Sequence, residues 1–218
     1  MAAINVRLDA RYIQARKGDE SDSEHYFLVG SKKSDDQTSL LVLPPNDAIE
    51  VESKKRVDGP WALYKGTLED RQVVVINVVF VEEDSTPDKD RSNLAPGLIP
   101  TQKVDPLPQL TFQASPAEVN SAVGEAVKIV EDTTILVDKI GKLIQKFADL
   151  GSILDPDNVM GGFTVRIANS NGQAYWSISD GAFCTHSVDP NKGDFTVSIK
   201  QDDDYDYLIG GSVTPPNP

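Results

Sequence analysis

Carboxylates are the side chains best placed to do chemistry in this chain of 218 residues, where 34 acidic residues stand against 21 basic ones for a net charge of −13. They gather in short runs. Asp19, Glu20, Asp22 and Glu24 form one run; Glu82, Glu83 and Asp84 form a second, followed by Asp88 and Asp90; Asp155 and Asp157 form a third; Asp202, Asp203, Asp204 and Asp206 form a fourth. Carboxylates crowded together repel, so each run either splays into water or collects a hard cation. Calcium is the cation suited to this, because it takes about six to eight oxygens from flexible loops. Both readings, solvated turns and a calcium site, stand at the level of sequence. The surplus itself has a consequence: an acidic chain is repelled by phosphate backbones, which argues against nucleic acid as a partner. An anionic membrane is disfavoured on the same ground unless a cation first neutralises part of the surface.

Other reactive residues are few. The single cysteine, Cys184, excludes a disulfide framework or a multi-thiolate metal site, and the histidines are only His25 and His186. Cys184 and His186 are two residues apart, hence on one face of a strand, but a nucleophile also needs a group that orients the base and an oxyanion hole. Neither is evident. No Gly-x-Ser-x-Gly, phosphate loop, dinucleotide fingerprint or His-Glu-x-x-His occurs, and the chain is read as non-catalytic.

The elements that position these groups divide the chain into stretches of different texture. Residues 1–84 read as strands, with Ile4, Val6 and Leu8 alternating, then 25–29, 39–43 and the β-branched run 72–81. Val73 to Val81 is the most hydrophobic stretch and is expected as a central strand buried on both faces. Turns fall at 17–23, 32–37, 44–47 and Asp58-Gly59-Pro60. Residues 85–114 hold five of the fourteen prolines and read as an extended connector. Residues 115–151 read as one long amphipathic helix: Ser115-Pro116-Ala117-Glu118 is a capping box, and Val119, Val123, Ala126, Val130, Thr133, Val137, Ile140, Ile144 and Phe147 recur at spacings of three and four. Strands return in 152–212, with Asn171-Gly172 as a tight hairpin turn, before a tail at 213–218.

Three segments together resemble a C2 domain. Residues 11–30, with Asp22-Ser23-Glu24-His25-Tyr26, resemble the family's first strand and first calcium loop. Residues 73–84 resemble the buried strand that enters the third loop with an acid-x-acid pair, here Glu82 and Asp84. Residues 155–167 resemble the exit from that loop. The resemblance implies a mainly β fold with one long helix, a C2-like antiparallel β-sandwich in which the connector and helix are an insertion. It also implies a calcium site with Asp19, Asp22, Glu24, Glu82, Asp84, Asp155 and Asp157 as ligands. The chain departs from the family pattern where the proline after Ser-Asp is missing and where glutamates replace aspartates.

The expected function is a binding module, calcium-modulated, that engages a membrane surface or a protein partner. The helix stripe suggests two alternatives. Val137, Ile140, Leu143, Ile144 and Phe147 would enter a bilayer in a pore-forming or otherwise membrane-active protein, or pair with another copy in a self-assembling one. The N-terminus lacks a basic segment followed by an apolar run, so synthesis without a Sec-type signal, and a cytoplasmic start, are expected. Leaderless export would leave no mark in these residues.

Overall fold

The computed structural model describes residues 2–17, 23–34, 38–44, 48–83, 159–181, 183–189, 191–201 and 205–216, and the elements of these residues are β-strands. Eleven strands are described: β1 (Ile4–Lys17), β2 (Ser23–Lys33), β3 (Thr38–Leu43), β4 (Ile49–Val51), β5 (Arg56–Leu68), β6 (Val73–Glu83), β7 (Val159–Ser170), β8 (Gln173–Asp180), β9 (Cys184–Asp189), β10 (Asp194–Gln201) and β11 (Tyr205–Thr214). They form two antiparallel sheets. One has five strands in the order β5-β1-β11-β10-β9; the other runs β3-β2-β6-β7-β8, with β4 also paired to β2.

The two sheets share one apolar core. Leu8, Ile13 and Ile209 from the first sheet pack with Phe27, Ile76, Phe80, Val165 and Ile167 from the second. In β1 the inward residues are Val6, Leu8 and Ala10, then Ile13 and Ala15; the parity changes by one. A register shift against β11 between Ala10 and Tyr12 inserts the extra residue, as a bulge does. Glycine makes room in the partner strand: a Cβ on Gly210 would lie 2.0 Å from the Tyr12 ring, and one on Gly211 would lie 2.1 Å from the Phe195 ring and 2.5 Å from the Asp9 carbonyl oxygen.

Strand β6 sits between β2 and β7 and is buried on both faces, as its uninterrupted apolar run implies. Val74, Ile76, Val78 and Phe80 face the inter-sheet core. Val73, Val75 and Val81, on the opposite face, are buried as well, along with Tyr26, Leu28 and Val42.

The expected mainly β fold with one long helix is corrected: among the described residues every element is a strand and there is no helix. The helix reading drew on a local stripe in residues 115–151, which lie outside the described residues, whereas the described elements are all strands, β6 among them buried on both faces. A two-sheet antiparallel fold, compatible with a β-sandwich, stands. Strand β5 is a further difference. Asp58-Gly59-Pro60 reads as a turn in sequence, yet it lies within β5, where register shifts against β1 accommodate it. β5 is the outer strand of its sheet, where proline's missing donor costs no ladder bond.

Candidate functional site

Three acid-bearing connections begin and end at strand termini that meet at one end of the two-sheet core. The first pair of termini is Lys17 and Ser23, the second Glu83 and Val159, the third Gln201 and Tyr205. Backbone register brings them together: Lys17 lies opposite Asp206, Glu24 opposite Glu83, Val81 opposite Val159, and Gln201 opposite Tyr205. Aromatic contacts link the two sheets at this same end. The His25 ring stacks on Phe80 at 4.8 Å and meets Tyr207 edge-on at 4.9 Å, and Phe80 meets Tyr207 at 5.5 Å. Arg16 closes the five-stranded sheet here with an ion pair to Asp206 at 2.7 Å.

Of the seven expected calcium ligands, Glu24 and Glu82 are described; Asp19, Asp22, Asp84, Asp155 and Asp157 lie outside the described residues. Strand alternation sends the described pair to opposite faces. Glu24 shares the outer face of β2 with Tyr26 and Leu28, whereas Glu82 shares the core face of β6 with Phe80 and is buried opposite the fully buried His25. Among the described residues no group of three or more His, Cys, Asp or Glu side chains is close enough to hold a metal ion. Val137, Ile140, Leu143, Ile144 and Phe147, the expected membrane or oligomer contacts, also lie outside the described residues.

One acid neighbour of Glu24 was not legible in sequence. Glu50 on β4 is directly opposite Glu24, and Glu83 occupies the register position on the other side of Glu24. Directly opposed residues have Cβ atoms about 4.5–5.5 Å apart, and like charges there destabilise the pair. Such a pair gains stability when a cation enters between its carboxylates. Nothing in the local sequence signals it, because β4 has only three residues and its pairing is set by tertiary structure.

The second constellation lies at the β8–β9 corner. His186 Nδ1 is 2.5 Å from Asp180 Oδ1, so the imidazole has the orienting carboxylate that its sequence neighbours do not supply. Cys184 lacks the complementary property: it is buried, and desolvation pushes its thiol up to about 12, with the Asp180 charge acting in the same direction. A thiol held protonated at neutral pH is a poor nucleophile. Phe183 beside it is 53% exposed at a φ of 59°, an uncommon conformation for a bulky residue.

No family model matches the chain, and no curated protein matches it. No helix of the described residues is long and apolar enough to cross a membrane.

Proposed function

We propose that this protein is a non-catalytic, C2-like binding module whose acid-bearing end takes up calcium and, with its charge reduced, docks on an anionic membrane surface. The observation that carries the reading is the meeting of three acid-bearing connections at one end of the two-sheet core. Glu24 and Glu50 sit there as opposed carboxylates, and Asp19, Asp22, Asp84, Asp155 and Asp157 belong to connections that leave from the same strand termini. The C2 resemblance agrees with this placement. Its first segment spans β1 and β2, its second is β6, and β2 and β6 are neighbours in one sheet.

The chemistry follows from charge. At −13 the protein is repelled by anionic headgroups, and calcium held between clustered carboxylates removes that repulsion locally while bridging to headgroup oxygens. The oxygens come from glutamate and aspartate side chains at strand ends; Glu82 lies on the core face opposite His25, away from Glu24. The protonated thiol of Cys184 supports the non-catalytic part of the reading.

Co-sedimentation with vesicles of phosphatidylserine and phosphatidylcholine tests it. Binding in millimolar calcium that disappears on chelation is the expected result. Equal sedimentation with and without calcium would contradict it, and so would calcium-dependent leakage of an entrapped dye, which a passive module does not cause.

A further inference from the structure

Strand β9 is the outer strand of the five-stranded sheet, and no strand among the described residues pairs with its second side. Its ladder to β10 determines which backbone groups that side presents. Lys200 N donates to the Phe183 carbonyl at 2.9 Å, and the register continues without a shift from Cys184 opposite Ile199 to Asp189 opposite Asp194. Antiparallel ladder bonds fall on alternate residues. Thr185, Ser187 and Asp189 therefore turn their N–H and C=O groups toward β10, while His186 and Val188 turn theirs to the open side. Cys184 follows the same alternation as His186, and its N–H is taken by the Gly181 carbonyl at 3.4 Å.

An open edge is a template for another strand, and proteins ordinarily blunt it with proline, lysine or a bulge. The opposite edge of this sheet is blunted in that way: β5 carries Pro60 and Lys65 and shifts register against β1. β9 has no proline, lysine, arginine or register shift. It bears apolar surface instead. Val188 within it is 45% exposed and Phe183 just before it 53% exposed, and these are the exposed large hydrophobics of the described residues. Phe183 keeps its ring in water from a backbone φ of 59°, a conformation that is itself costly for a bulky side chain.

Charge decides which strand fits. His186 and Val188 share the face of Cys184, while Thr185, Ser187 and Asp189 occupy the other face. On that other face Asp189 lies directly opposite Asp194, with side chains 44% and 42% exposed. Lys192 and Arg11 pair with them at 2.9 and 2.8 Å, but exposed ion pairs of this kind are weak and exchange readily with an incoming cation. A second copy of the chain would bring the same carboxylates and a further −13 of charge, which opposes self-pairing.

We propose that β9 is the docking edge for an extended basic segment of another protein, added to the sheet as a further strand with apolar and cationic residues in alternation. Main-chain bonds to His186 and Val188 supply affinity, and the alternation supplies specificity. The apolar side chains cover Val188, and the cations reach Asp189 and Asp194.

The test is calorimetric titration of the full chain, in chelator, with the peptide acetyl-Lys-Val-Lys-Val-Lys-Val-amide. Two control peptides replace every lysine by glutamate or every valine by proline, the latter keeping the charge while removing half the backbone donors. The first peptide is expected to bind about tenfold or more tighter than either control, the factor that about 1.4 kcal/mol of lost hydrogen bonding supplies. It is also expected to slow hydrogen exchange at the His186 and Val188 amides. Val188→Pro removes the outward donor and spares the ladder to β10, and it should lose most of the binding while melting cooperatively. Equal binding of either control, exchange at the two amides unchanged by the peptide, or undiminished binding by a folded Val188→Pro variant would overturn the proposal. So would a peptide-free dimer that protects the same amides, because the occupant would then be a second copy. The exchange measurement needs only the wild type, so it decides the matter if Val188→Pro fails to fold. With chelator present throughout, failure here and failure of calcium binding are separate results.

Discussion

Single side chains in this molecule act chiefly by closing hydrogen-bond accounts. Asn169 shows how: buried on β7, it donates from Nδ2 to the carbonyls of Ala2 and Leu68 at 2.8 and 2.9 Å and accepts from the Gly172 amide at 2.9 Å. One side chain thereby ties both sheets to the Asn171-Gly172 turn. Cys184 acts instead through the proton it keeps. Burial pushes its thiol up to about 12 from the 9.0 of an ordinary thiol, so between those values the unfolded state loses a proton that the native state retains. The sign follows: this contribution to stability is fully present below pH 9, declines as pH rises and is lost by about pH 12. Iodoacetamide at pH 8 should therefore leave the native protein unmodified and alkylate it after denaturation, and Cys184→Ala should flatten the alkaline decline in melting temperature. Rapid alkylation of the native protein would contradict the burial. The His186 and Cys184 pair was visible in sequence as residues two apart, but Asp180 was not, because its approach to His186 depends on the turn that joins two strands in different sheets.

Elements were legible where local pattern and tertiary role agree. The Val73–Val81 run announced a strand covered on both faces, and β6 is that strand. Asn171-Gly172 announced a hairpin, and both residues take positive φ between β7 and β8. β5 was illegible because its Gly59-Pro60 pair has the composition of a turn, and only its outer position in the sheet makes the pair compatible with a strand. β4 was too short to signal anything, so the opposition of Glu50 to Glu24 could not be foreseen. The Gly210-Gly211 pair on β11 is a feature of elements too, since it admits the Tyr12 and Phe195 rings against the backbone where β1 bulges. Gly211→Ala places a methyl against the fixed Asp9 carbonyl, and we expect a loss of about 1–3 kcal/mol, read as a lower urea midpoint with unchanged slope. An unchanged midpoint would show that β1 shifts freely, contrary to the packing described.

At the scale of the whole molecule, topology brings together the strand termini from which the acid runs depart. The acid runs around residues 19–24, 82–90, 155–157 and 202–206 are far apart in sequence, yet the strands that flank them end together, bound across the sheets by His25, Phe80 and Tyr207. Sequence disclosed the runs; it did not disclose that Glu24 and Glu82 diverge to opposite faces, because face depends on strand phase. Calcium uptake at this end is the central claim, and calorimetric titration of the wild type beside Glu24→Gln tests it most directly. The account predicts heat of binding at millimolar calcium or below, a melting temperature that rises with calcium, as mass action requires of a ligand bound by the native state, and weaker binding by Glu24→Gln. No heat at millimolar calcium together with an unchanged melting temperature would contradict it.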